Sequence, residues 1–258
     1  MIFIQPSIDP VIVSFGFIDI RWYSLAYIFA FILGSVIIKK FNTFSYNLLS
    51  DVQIDKFFIW GIIGVILGGR IGYVLFYQTN LFFTKPSYIL EIWNGGMSFH
   101  GGLIGMILSI YFFSLKYKIS FLYLSDLVSL VAPIGLFLGR ISNFINTELY
   151  GRITDFPFAI IYPLIDNNPR HPSQLYEAFL EGIILFLILF LYFKNKPKGY
   201  LLGTVSGLFL IFYSIFRFLI EYLREPDYHL GLVFYIFSTG QLLCIPFLFA
   251  GIWILIRK

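Results

Sequence analysis

The chain has one cysteine, three histidines and few charges, and each scarcity removes a class of function. With Cys244 alone, neither an internal disulfide nor a multi-cysteine metal site can form. The histidines are isolated and show no recurring ligand spacing, so no metal is expected, and nothing calls for a cofactor. No Walker-type phosphate loop and no GxSxG elbow is present. The N-terminus lacks a basic region followed by a small-residue cleavage site, so no cleavable signal peptide is expected. Charged residues make up 12% of the 258 positions, where a soluble domain carries about 25%. The net charge of +4 sits in loops that would orient helices, so no nucleic-acid partner is expected.

What fills the chain is apolar: 59% hydrophobic residues and a mean hydropathy of +0.84. This composition predicts an all-α polytopic membrane protein forming a single domain over residues 1–258. A membrane-spanning helix needs about 20 mainly apolar residues. Seven spans are expected: Ile20–Ile38, Phe57–Tyr77, Ser98–Leu115, Leu122–Leu138, Ser173–Phe193, Leu201–Tyr222 and Leu232–Ile256. The fourth is short and holds Asp126 and Pro133. The stretches Thr79–Gly96 and Asn143–Pro172 are too short for domains and read as external arms or a cap. Glycines at 61, 64 and 68, and at 101, 102 and 105, have spacings that permit close helix contact.

Nine of the ten lysines, all but Lys85, fall in alternate loops or at the C-terminus. The positive-inside rule makes that face cytoplasmic, with the N-terminus outside and the C-terminus inside. The arginines behave differently. Arg21, Arg140, Arg152, Arg170, Arg217 and Arg224 fall near the outer ends of spans, and Arg70 lies within span two. Arginine grips phosphate bidentately, which suits phospholipid headgroups. The plainer alternative is ion pairing with Glu148, Glu177, Glu181, Glu221 and Glu225.

Four polar constellations stand out. His100 precedes Gly101-Gly102 at the outer start of span three; it is either a proton acceptor or an interfacial helix cap. In Gly139–Gly151, Arg140, Asn143, Asn146 and Glu148 follow an apolar run and Gly151 allows a tight turn; the alternative is a re-entrant loop satisfying its own backbone. Tyr213, Arg217 and Glu221 recur every four residues, so they share one stripe of span six, as a substrate site or as an ion pair. His171–Glu177 opens span five and reads mainly as scaffold. Trp22 and Tyr23 could be ordinary interfacial aromatics. Cys244, midway along span seven, is expected far from the outer cluster.

Together these segments resemble the prolipoprotein diacylglyceryl transferases, bacterial inner-membrane enzymes. The resemblance rests on Arg21-Trp22-Tyr23, Gly68–Tyr73, Gly95–Gly102, the Gly139–Gly151 signature, His171–Glu177 and Arg217–Asp227, and covers almost the whole chain. Ser142 stands where the signature usually has Gly or Ala, and Pro157–His171 is shorter than in many members. The resemblance implies that a diacylglyceryl group moves from phosphatidylglycerol to the lipobox cysteine thiol of a prolipoprotein, forming a thioether and releasing glycerol phosphate. The nucleophile is then the substrate's thiol, consistent with a chain whose one cysteine is poorly placed.

The implied partners are phosphatidylglycerol, prolipoprotein lipobox segments and membrane lipids. The expected catalytic residues are His100 as base, with Arg140 and Arg217 binding phosphate and stabilising the leaving group. The expected substrate-binding residues are Tyr23, Arg70, Asn143, Asn146, Glu148, Gly151, Tyr213 and Glu221; Arg70 could equally brace the bundle. A rival reading is a lipid transporter or flippase with an outer-leaflet arginine site, which more often shows duplicated halves. A metal-dependent phosphatidyltransferase would need clustered aspartates on cytoplasmic helix ends.

Overall fold

The computed structural model describes residues 3–16, 19–44, 46–195, 201–226, 232–233 and 237–257. Lys196, Lys198, Asp227 and Lys258, used in the sequence reading, lie outside them. Among the described residues, six helices are long and apolar enough to cross a membrane. In hydrocarbon every backbone N–H and C=O must be satisfied internally, which is why helices carry the fold.

The chain opens with β1 (Phe3–Ile4), β2 (Val11–Ser14) and β3 (Asp19–Arg21), then α1 (Trp22–Phe44), α2 (Asp51–Tyr77) and α3 (Thr79–Thr84). Two single turns, Pro86–Leu90 and Ile92–Asn94, lead to α4 (Phe99–Tyr117) and α5 (Phe121–Ile145). After β4 (Ile160–Ile161) and β5 (Pro169–Arg170), one continuous helix Ser173–Asn195 comprises α6 (Ser173–Glu177), a π-wound stretch Ala178–Ile184 and α7 (Leu185–Asn195). α8 (Thr204–Ile220), β6 (Leu232–Val233), β7 (Phe237–Ser238) and α9 (Thr239–Ile256) complete the chain.

Several expectations shift. The fourth span is no short element: α5 runs 25 residues, and its last two turns absorb Arg140 and Asn143. Ser142 is buried there, its hydroxyl donating to the Leu138 carbonyl (3.0 Å). Span six contracts to 17 residues, below the length of the six spanning helices. The seventh starts at Thr239, not Leu232, because Ser238 and Gln241 form a capping box. The all-α expectation also misses three small sheets: β1 pairs with β4 in parallel and β4 with β5 antiparallel, β2 pairs with β3, and β6 with β7.

The chain divides into two compact units, 1–34 with 126–258, and 35–125. In the 35–125 unit, α2 and α4 cross on glycine. A Cβ on Gly68 would sit 2.9 Å from Gly105 Cα, and one on Gly72 2.9 Å from Gly101 Cα, so only hydrogen leaves room. Arg70 lies on α2 beside this crossing and is 1% exposed. Its guanidinium donates to the carbonyls of Tyr88 (2.7 Å), Ile89 (3.3 Å), Gly95 and Gly96 (3.4 Å), and lies over the Tyr88 ring. Of the two parts left open for Arg70, binding substrate and bracing, these contacts with the 86–96 segment are of the bracing kind. The Arg70 donors are spent on backbone carbonyls, which offer several acceptors but no competing anion.

In the larger unit, α8 begins at Gly203 (φ 94°), whose N–H has no partner within its own helix. Asp126 on α5 supplies one. Its fully buried carboxylate accepts from Gly203 N, Ser206 N and Ser206 Oγ, each at 2.8 Å. The charge that made span four look doubtful is thus the N-terminal cap of another helix, favoured also by that helix's dipole. α8 and α9 then meet through Gly207 and Gly251, where a Cβ on Gly251 would stand 2.8 Å from the Gly207 carbonyl oxygen.

Asp126→Ala strands these buried donors, and we expect a loss of about 3 kcal/mol, read as a lower thermal unfolding midpoint in detergent; an unchanged midpoint would refute the cap. Arg70→Lys keeps the charge but cannot reach four carbonyls. Amide exchange over residues 86–96 should accelerate on the order of tenfold while α2 and α4 stay protected.

Candidate functional site

Two parallel relationships set the depth of the site. Arg140 follows Asp126 by 14 positions (140 − 126), and Arg217 follows Gly203 by 14 (217 − 203). Since Asp126 and Gly203 are hydrogen-bonded, both helices climb about 21 Å from a common level. Their arginines arrive together, opposite Glu177 and Glu181 of the Ser173–Asn195 helix.

Glu177 bridges them. Its Oε2 lies 2.8 Å from Arg140 Nε, and its Oε1 pairs with Arg217 Nη1. Glu181 stands at 3.5 Å from Arg140 Nη2 and 3.9 Å from Arg217 Nη1. Both carboxylates are completely buried. Arg217 Nη2 reaches Glu221 one turn on (2.9 Å), and Glu221 also faces Arg224 Nη1 (3.7 Å). The Ser238 hydroxyl at the start of α9 donates to Glu221 Oε1 (2.9 Å). Gly240 packs beside it, and a Cβ there would lie 2.9 Å from the same oxygen, so a larger residue would displace the carboxylate. Tyr213, stacked on Phe209, interacts electrostatically with Arg140, Glu181 and Arg217.

The π-wound turn Ala178–Ile184 contains Glu181 and Gly182. Such turns are rare in helices and recur at functional sites. Gly182 lets α5 approach here, since a Cβ would fall 2.6 Å from Phe137 Cβ.

A second cluster surrounds Glu148. Its Oε2 accepts from the Tyr23 hydroxyl (3.0 Å) and from Asn143 Nδ2 (3.0 Å), while Asn146 Nδ2 reaches Oε1 (3.4 Å). Asn143 also donates to the Tyr23 hydroxyl. Glu148 sits between Thr147 (φ 60°) and Leu149 (φ 57°), both in the left-handed region that β-branched and bulky residues avoid. That conformation is held by its neighbours. Gln174 Nε2 donates to the Glu148 carbonyl (2.6 Å), Ser173 Oγ to that of Leu149 (2.8 Å), and Thr147 Oγ1 to Gln5 (3.0 Å). Tyr23 is within electrostatic reach of Arg140, which links the two clusters.

Gly151, expected among the substrate-binding residues, has close backbone neighbours. It is packed where two chain segments converge: its N–H donates to the His171 carbonyl (2.9 Å), and a Cβ would lie 2.6 Å from His171 Cβ and 2.7 Å from the Leu223 carbonyl. Gly151 is therefore a backbone crossing point. Arg170 packs beside it, donating to the Gly151 carbonyl (3.2 Å) and pairing with Asp166 (2.7 Å) and Glu225 (3.2 Å). Hydrogen bonds from Arg170 hold the Asp166 carboxyl at about 2, below the usual range, and Asp166 in turn raises Arg170. Burial lowers His171.

The structure thus gathers Arg140, Tyr213, Arg217 and Glu221 in one cluster and Tyr23, Asn143, Asn146 and Glu148 in another. His100 and Arg70 belong to the 35–125 unit. His100 is exposed in the first turn of α4, its ring against Phe99 (5.5 Å between centroids) and Ser98 capping the helix through Gly101 N (3.3 Å).

The plainer alternative for the arginines holds in part: Arg140, Arg217 and Arg224 do pair with Glu177, Glu181 and Glu221. Glu148 meets amides and a phenol instead. The sequence reading undervalued Glu177 and Glu181, taking their segment as scaffold. Two carboxylates four residues apart in an otherwise apolar span were the signal. Cys244 is also nearer than expected. With α9 starting at Thr239, it lies six positions past Ser238 and interacts electrostatically with Arg217 and Glu221.

The Asp166–Arg170 pair gives a pH prediction. A carboxyl depressed in the fold contributes stability above its ordinary value near 4, and that contribution is lost as pH falls toward about 2. Pepsin cleavage within 152–170 should therefore accelerate across that window in the wild type but remain flat in Asp166→Asn.

Against this geometry, comparison with known proteins is specific. A family model described as prolipoprotein diacylglyceryl transferase matches residues 10–257. A protein of Pseudoalteromonas atlantica named phosphatidylglycerol–prolipoprotein diacylglyceryl transferase is 49% identical over 262 residues, covering 98% of this chain and 90% of its own. One of the same name from Rickettsia typhi is 49% identical over 258 residues, covering 98% of each. A third, from Aeromonas hydrophila, is 45% identical over 255 residues, covering 98% of this chain and 92% of its own. The chain belongs to the prolipoprotein diacylglyceryl transferase family.

Proposed function

We propose that this protein transfers the diacylglyceryl group of phosphatidylglycerol to the lipobox cysteine of a prolipoprotein. The observation that carries the reading is the meeting of Arg140 and Arg217, from two helices, in a buried cluster at one depth. Intramembrane charge is expensive and is kept where it works. Two guanidinium groups offer the planar, paired donors that a phosphodiester accepts, and they remain charged at any accessible pH.

In the step itself, the cysteine sulfur attacks the glyceryl carbon that bears the phosphate. A C–S bond forms, the C–O bond breaks, and its electron pair goes to the departing glycerol phosphate. Arg140 and Arg217 stabilise that developing charge, already oriented by Glu177 and Glu221 before substrate arrives. The thiol proton goes to His100, a reading that rests on the His100-Gly101-Gly102 sequence. Tyr23, Asn143, Asn146 and Glu148 shape the headgroup site, and Tyr213 and Glu221 support the arginines. No reactive cysteine of the enzyme is needed.

The catalytic domain is the whole of 1–258. It sits in the bacterial inner membrane, with the N-terminus outside, the C-terminus cytoplasmic and the site toward the periplasmic side; the lysine distribution supports this orientation. α8 acts as the seventh span, its 17 residues ending in the turn that carries Arg217. Prolipoprotein segments and membrane lipids are its partners.

The test incubates purified protein in detergent with phosphatidylglycerol and a lipobox peptide and weighs the peptide. A mass gain of one diacylglyceryl group is expected. Arg140→Ala should lower the rate about a hundredfold or more, and Arg217→Lys nearly as much, since a point charge cannot replace the fork. Lipid moved without a thioether would make the protein a transporter.

A further inference from the structure

The buried cluster is already neutral before substrate arrives. Arg140, Arg217 and Arg224 face Glu177, Glu181 and Glu221, three charges of each sign within ion-pair distances. A lipid phosphodiester brings a fourth anion into a space where these carboxylates are 0%, 0% and 7% exposed. An unbalanced charge there costs several kcal/mol, and a buried group avoids that cost by neutralising.

The three carboxylates differ in what protonation would cost them. Glu177 has a close guanidinium partner on each oxygen. Glu221 has Arg217 at 2.9 Å and a hydrogen bond from Ser238. Neither Glu181 oxygen has a well-formed hydrogen bond among the described residues; only the two arginines approach, at 3.5 and 3.9 Å. The groups facing it are Arg140 on α5, Arg217 and Tyr213 on α8, Cys244 on α9 and Glu177 on its own helix. Phosphate drawing on the same two guanidinium groups would weaken its only partners further.

We propose that Glu181 is the proton-holding residue of the site, taking up one proton from water when a lipid phosphate occupies Arg140 and Arg217 and returning it when the phosphate product leaves. The inference rests on the phosphate site proposed above. It makes headgroup binding tighten as pH falls, because the bound form carries the extra proton. Glu181 is a charge-compensating group; the thiol proton remains the business of His100.

The experiment is isothermal titration of short-chain phosphatidylglycerol into the full-length protein in detergent at neutral pH, in two buffers of different ionisation enthalpy. About one proton should be taken up per lipid by the wild type and close to none by Glu181→Gln, which should bind the lipid at least as tightly. Infrared difference spectra of the wild type provide a readout independent of how the variant folds: a protonated carboxyl band should appear on lipid addition. Lipid binding with neither proton uptake nor that band overturns the proposal while leaving the phosphate site standing, as does undiminished uptake in Glu181→Gln. Absence of binding to the wild type overturns the phosphate site itself.

Discussion

The bridging of Arg140 and Arg217 by Glu177 is the contact on which this molecule is organised. In water such a pair contributes at most about 1 kcal/mol; within apolar helices each charge is tolerable only because the others are there. Three helices must therefore arrive at one depth with matching side chains. Much of the larger unit can be read as the means of bringing them there. Asp126 fixes the start of α8 against α5, Gly182 lets α5 come close to the helix carrying the carboxylates, and Ser238 ties α9 to Glu221.

Around that ionic centre the chain relies on backbone contacts that side chains would obstruct. Gly151 admits two other segments. Thr147 and Leu149 adopt a conformation costing of order 1–3 kcal/mol each, offset by Ser173, Gln174 and Gln5. The result is a carboxylate, Glu148, presented to Tyr23 and Asn143 on a loop with little freedom to relax. Arg70 does the same for the 86–96 segment with a single side chain and four carbonyls.

The apolar periodicity made the membrane class and most helices legible, since length and hydropathy alone decide what can cross a bilayer. Their ends were harder. Arg140 and Asn143 looked like the start of a polar loop, yet α5 continues through both because its neighbours satisfy them. Leu232 looked like the start of the last span, but the capping box at Ser238 sets that start at Thr239, seven residues on. Among the candidate site residues, those with charge or amide groups near Arg140 and Glu148 were visible as a pattern. Arg70 and Gly151 stayed ambiguous because a charge and a glycine look alike whether they serve a ligand or the backbone. Glu177 was undervalued because its partners are distant in sequence, at 140 and 217.

The π-wound turn at Ala178–Ile184 has a consequence for how such a chain can evolve. A π turn is an α-helix carrying one residue too many. Deleting that residue would restore ordinary winding with the faces on either side still in register, Glu177 before it and Leu185–Asn195 after it, and only the bulged residues around Glu181 would lose their placement. A single-codon deletion between 178 and 184 is thus the one the helix can absorb, whereas one elsewhere in Ser173–Asn195 would turn one flank by about 100° against the other.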